Sequence, residues 1–119
     1  MVVDDAVSDL KLIEGILKAA GHHVVCAVGG AGVEEQVVGE RPDVLLLDIV
    51  MPGRNGYEVL RGLKRDPRTK DTPVVLVSSK NQPSDRLWGT RQGAADYLGK
   101  PFSSDELLAV VRQQIGAGS

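Results

Sequence analysis

The chain is poor in several residues that would otherwise suggest a function. Cys26 is the single cysteine in 119 residues, so no internal disulfide can form. Flanked by Val24, Val25, Ala27 and Val28, it reads as a small buried apolar residue. Aromatic residues are scarce, with one Trp, one Phe and two Tyr, which leaves few partners for a flavin ring. No apolar run approaches the roughly 18 residues of a membrane span. The N-terminus lacks the charged-then-apolar layout of a signal peptide, so a cytoplasmic location with no membrane partner is expected. A formal net charge of -2 provides no bulk attraction to nucleic acid or anionic lipid, and no nucleic-acid partner is expected. Gly29-Gly30-Ala31-Gly32 has neither the GxGxxG nor the GxxxxGK[ST] spacing and does not read as a phosphate cradle. There is no internal repeat, linker or low-complexity block.

What remains is ordinary for a globular protein: 42% hydrophobic and 25% charged residues, and a length suited to one core. One domain over residues 1–119 is expected, with 116–119 a frayed tail. Met1-Val2-Val3 reads as a short strand meeting Asp4 and Asp5. A helix follows, capped by Ser8, with Asp9 in its first turn, Leu10, Ile13 and Leu17 inward, and Gly21 as a left-handed stop. Residues 23–28 predict a second strand and residues 33–40 a modest helix. Val44-Leu45-Leu46-Leu47-Asp48 predicts a buried strand delivering one carboxylate to the rim of a sheet, before a Met51-Pro52-Gly53 loop. Residues 56–65 form a helix stopped at Asp66-Pro67. Residues 74–77 form a strand ending in Ser78. Ser84-Asp85 opens a helix to about Ala94, with Gly89 and Gly93 weakening its interior. Asp96-Tyr97-Leu98-Gly99 is a last strand before Lys100, and Ser103 with Glu106 forms a capping box for the final helix.

Strands and helices alternate five times, and the strands are continuous aliphatic runs. That predicts a parallel α/β sheet covered on both faces, with right-handed crossovers placing every carboxyl end on one edge. Asp4, Asp5, Asp48, Ser78 and Lys100 then share that edge, where open α/β sheets place their chemistry. Read singly, each suits a bland role: a solvated turn for the acids, an ordinary strand-end serine, a surface lysine. Together, three acids brought close favour a divalent cation, and all-oxygen ligation suits Mg²⁺. A hydroxyl and an ammonium add what holds a phosphoryl group while a carboxylate attacks in line.

Val2-Val3-Asp4-Asp5, Leu47-Asp48-x-x-Met51-Pro52-Gly53-x-x-Gly56, Val77-Ser78 and Lys100-Pro101-Phe102 together closely resemble the receiver domain of two-component response regulators, across essentially the whole chain. The resemblance implies a flavodoxin-like (βα)5 doubly wound parallel sheet of strand order 2-1-3-4-5. It implies Asp48 as phosphoacceptor, with Mg²⁺ held directly by Asp5, Asp48 and the backbone carbonyl of Val50, and by Asp4 mainly through water. Ser78 would grip the phosphoryl group and Lys100 pair with it. Ser78 and Tyr97 would form the switch, the ring turning inward on phosphorylation and remodelling the face of the fourth helix, last strand and last helix. A histidine kinase is the implied phosphodonor, a downstream protein the implied target, and a monomer or weak dimer the implied state. The chain would catalyse its own phosphorylation and dephosphorylation and nothing further. Residues 80–94 resemble single-domain receivers of the chemosensory systems of type IV pili and twitching motility. The first strand is short for the family, which suggests a trimmed start, and with nothing after the last helix an output domain is either absent by nature or removed.

Three other classes fit less well. A haloacid-dehalogenase-type phosphatase wants a second acid where Val50 stands, and a flavodoxin-like FMN binder would face repulsion from the acids. A pseudo-receiver acting by protein contact alone would have no use for so complete a site.

Overall fold

The computed structural model describes residues 1–117. Its elements alternate as expected: β1 (Val2–Asp4), α1 (Val7–Ala19), β2 (Cys26–Val28), α2 (Val33–Glu40), β3 (Leu45–Asp48), α3 (Gly56–Arg65), β4 (Val74–Ser78), α4 (Pro83–Arg91), β5 (Asp96–Gly99) and α5 (Ser104–Ala117). The five strands form one parallel sheet in the order β2-β1-β3-β4-β5, the flavodoxin-like doubly wound topology. No helix among the described residues is long and apolar enough to cross a membrane.

The aliphatic runs are continuous because both faces of the sheet are covered. Leu45 and Leu47 pack with Val33, Val37, Val59, Leu60 and Leu63 under α2 and α3. Leu46, one residue out of phase, packs with Leu10, Ile13, Leu17, Leu107 and Val111 under α1 and α5. Register brings the strand ends level. Val3 pairs with Leu47, Asp48 with Val77, and Ser78 with Gly99, so Asp4, Asp48, Ser78 and Lys100 come to a common edge.

Several boundaries differ from expectation. Ser8 does not cap α1; Ala6 stands at the cap without a side-chain bond, and its N–H donates to Asp4 Oδ1 at 3.0 Å. The strand expected over 23–28 shortens to Cys26–Val28. β2 is a sheet edge, and Cys26 is exposed rather than buried, its Sγ 3.6 Å from Glu14 Oε2. An outer strand has one neighbour and less cover, so an apolar run there does not guarantee burial. α4 ends at Arg91, and Gly93, at φ +107°, lies beyond it as a left-handed stop rather than inside it. α5 continues through Gly116 to Ala117, and the rest of the expected tail lies outside the described residues.

Candidate functional site at the carboxyl edge

Three carboxylates meet where β1 and β3 end. Oxygens of Asp4, Asp5 and Asp48 all lie within 4.8 Å of one another. Asp4 and Asp48 are buried, at 2% and 7% exposure, because each terminates a central strand, while Asp5, one residue beyond β1, faces solvent. Lys100, delivered by the end of β5, reaches across the cluster. Its Nζ lies 3.1 Å from Asp4 Oδ2, 3.3 Å from Asp48 Oδ1 and 2.8 Å from Asp9 Oδ2.

Asp9 is the member that the sequence pattern did not supply. It read as a helix-favouring acid of the first turn, yet α1 starts directly above the ends of the strands and turns this carboxylate onto the lysine. The available signal was its position one helical turn after the acid pair.

The electrostatics follow from crowding. Burial first, and then the neighbouring charge of Asp4, push the Asp48 carboxyl up to about 6, against the pull of Lys100. For Lys100, burial favours the neutral amine, but hydrogen bonds to Asp9 and Asp4 and the charge of Asp48 outweigh it and hold the ammonium above the ordinary lysine range. Three carboxylates thus hold this ammonium and Asp5 adds a fourth acid to the cluster, so the excess negative charge suits a hard divalent cation. Both Asp4 oxygens are already engaged, by Ala6 N–H and by Lys100, whereas Asp5 is open to solvent. The donor set is all oxygen, and it fits Mg²⁺.

On the β4 side, Ser78 is buried and its Oγ accepts the Lys80 N–H at 3.1 Å. Tyr97 sits one strand over with its ring buried beneath α4, its hydroxyl donating to the Lys80 carbonyl. Arg86 lies over the ring, 5.5 Å from its centroid, and donates to the Tyr97 carbonyl at 3.1 Å. Burial pushes the Tyr97 hydroxyl's pKa up, opposed by Ser78 and by the Arg86 charge. Gly89 makes this packing possible. A Cβ there would stand 2.8 Å from Leu76 Cδ1 and 3.2 Å from Tyr97 Cδ2. Alanine in an open helix interior gains about 1 kcal/mol over glycine. Gly89→Ala is instead expected to lose about 1 kcal/mol in urea denaturation, because the methyl presses on a core leucine and the Tyr97 ring. A gain would show that α4 does not rest on them.

The β3–α3 loop is anchored at its far end by a reciprocal cap that the sequence pattern did not reveal. Glu58 N–H donates to Asn55 Oδ1 at 3.0 Å, and Asn55 N–H to Glu58 Oε1 at 3.2 Å.

A doubly wound sheet whose carboxyl edge gathers acids, a hydroxyl and a lysine belongs with the phospho-signalling modules of its fold class rather than with the cofactor enzymes. The chain is a member of the response regulator receiver domain family, whose model matches residues 1–112. It is 40% identical over 111 residues to Protein PilH of Pseudomonas aeruginosa, covering 93% of this chain and 92% of PilH. Vibrio cholerae chemotaxis protein CheY4 superposes with a TM-score of 0.87 at 28% identity, over 94% of this chain and 93% of CheY4. The receiver domain of the Pseudomonas aeruginosa sensor histidine kinase PA1611, whose structure holds a magnesium ion in its active-site cleft, matches with a TM-score of 0.87 at 26% identity. That match covers 97% of this chain and 94% of the other. The resemblance read from the sequence is thereby shown, and the likeness to PilH agrees with the pilus-type resemblance of residues 80–94.

Proposed function

We propose that this chain is a phosphoacceptor of a two-component relay, taking a phosphoryl group from a kinase's phosphohistidine onto Asp48. The observation that carries the reading is the Asp48 carboxylate itself, buried at the end of β3 among Asp4 and Asp5 with the Lys100 ammonium 3.3 Å away. A carboxylate oxygen of Asp48 attacks phosphorus and the bond to the donor's imidazole nitrogen breaks. The ring, protonated on its other nitrogen, keeps the electron pair of the broken bond and leaves as neutral imidazole, and an acyl phosphate remains. Water later attacks the same phosphorus, returning the carboxylate and inorganic phosphate.

Mg²⁺, when bound by Asp5, Asp48 and the Val50 carbonyl, with Asp4 acting through water, supplies positive charge that offsets the acids and the phosphoryl oxygens. Lys100 already spans Asp4 and Asp48 and turns an N–H to the incoming oxygens. Ser78 exchanges the Lys80 N–H contact for donation to a phosphoryl oxygen. That movement draws on the Lys80 segment to which the Tyr97 hydroxyl is bonded, so the charge added at Asp48 biases α4, β5 and α5. Leu87 and Trp88, both about half exposed on α4, supply apolar contact for a downstream protein, and the likeness to PilH favours a pilus-system partner.

Incubation with Mg²⁺ and acetyl phosphate is expected to add one phosphoryl mass to the wild-type chain and none to Asp48→Asn. An unmodified wild type, or a variant modified equally, would overturn the reading.

A further inference from the structure

Arg54 and Glu34 form an ion pair that the phosphoacceptor chemistry does not use. Arg54, in the loop between β3 and α3, sends Nη1 and Nη2 to the two carboxylate oxygens of Glu34 on α2, at 2.5 and 2.6 Å. The same guanidinium donates to the Gly30 carbonyl at 3.2 Å and to the Glu58 carbonyl at 3.4 Å. Both partners are about three-quarters buried, and a paired fork fixes orientation as well as charge. Two glycines leave room for it. A Cβ on Gly62 would stand 2.4 Å from Glu34 Oε2 and 2.5 Å from Arg54 Nη2, and one on Gly30 would stand 2.7 Å from the Arg54 carbonyl.

The loop so held begins immediately after Asp48. Ile49 and Met51 are buried, and Ile49 O accepts the Gly56 N–H at 2.9 Å. Val50 lies between them with its side chain exposed. Arg54 is therefore the side chain that ties the solvent-facing half of this loop to α2. We propose that Arg54 is a positioning residue, its pair with Glu34, seated between Gly30 and Gly62, holding the loop so that Asp48 and the backbone beyond it are presented to the divalent cation. The inference rests on the phosphoacceptor reading and adds a residue to it that touches neither metal nor phosphoryl group.

The test compares Arg54→Gln, Glu34→Gln and Gly62→Ala with Arg68→Gln, which removes an arginine paired with Glu35 and Asp66 away from the loop. Mg²⁺ affinity is measured by calorimetry, and backbone exchange of residues 49–55 by deuterium uptake. The first three variants are expected to bind Mg²⁺ about 3- to 10-fold more weakly and to exchange faster in 49–55, with the double variant of Arg54 and Glu34 no worse than either single one. Arg68→Gln is expected to bind as the wild type does. Gly62→Ala separates positioning from general stability, since alanine favours the helix while its methyl enters the ion pair. Unchanged Mg²⁺ affinity and exchange in Arg54→Gln would overturn the inference. A wild type that neither binds Mg²⁺ nor takes up a phosphoryl group would overturn the phosphoacceptor reading instead.

Discussion

Gly56→Ala is expected to be the most damaging single-methyl change in this chain, costing about 3 kcal/mol or more. Gly56 opens α3, and a Cβ there would lie 2.3 Å from the Asp48 carbonyl oxygen, 2.7 Å from Ile49 Cα and 3.0 Å from the Asp48 carbonyl carbon. All three are backbone atoms, so no rotamer change relieves the contact. Either α3 withdraws, uncovering Val59, Leu60 and Leu63, or the end of β3 moves and takes Asp48 with it. Overpacking against side chains commonly costs about 1–3 kcal/mol, and a rigid obstacle places this case at or above that range. The melting temperature should fall by about 10 °C or more. Calorimetry and urea denaturation check this, and a loss below about 1 kcal/mol would show that the strand end and α3 can part freely.

Asp48→Asn should move stability the other way. With the folded-state pKa of Asp48 raised to about 6 from an ordinary 3.8, the folded chain holds a proton that the unfolded chain has released. Stability of the metal-free protein therefore falls as pH rises from about 4 to about 6 and stays at the lower level above that. The shift caps this cost at about 3 kcal/mol. Asparagine carries no charge at any pH and can still accept from Lys100. In chelator at neutral pH, Asp48→Asn is expected to be about 1–3 kcal/mol more stable than wild type, the gap closing toward pH about 4. Mg²⁺ should stabilise the wild type, by about 2.7 kcal/mol at a hundredfold excess over its dissociation constant, and the variant much less. Equal stability in chelator would mean that Lys100 already cancels the repulsion.

The central strands were legible because burial on both faces leaves an unbroken aliphatic run, as in Leu45-Leu46-Leu47 and Val74-Val75-Leu76-Val77, and the polar residue ending each run marks the edge. Asp48 and Ser78 were found that way. Cys26 was misread because apolar sequence does not report whether a strand is central or outermost. Gly93 was misread because a glycine after a helix and one within it look alike until the turn is known. Asp9 and the Arg54–Glu34 pair escaped because each joins separate elements, and a charged residue on a helix or loop has no pattern that names its partner.

The contact between Lys100 and Asp4 spans 96 positions of sequence. β1, which carries Asp4, must first find β3 more than 40 positions away, and β5 must then add itself beyond β4 before the lysine can arrive. Long-range pairings of this kind are late events in folding. Until β5 docks, a chain with Asp48 already exposed has no ammonium beside it. If Asp48 is the phosphoacceptor proposed above, competence to take up a phosphoryl group therefore coincides with completion of the fold.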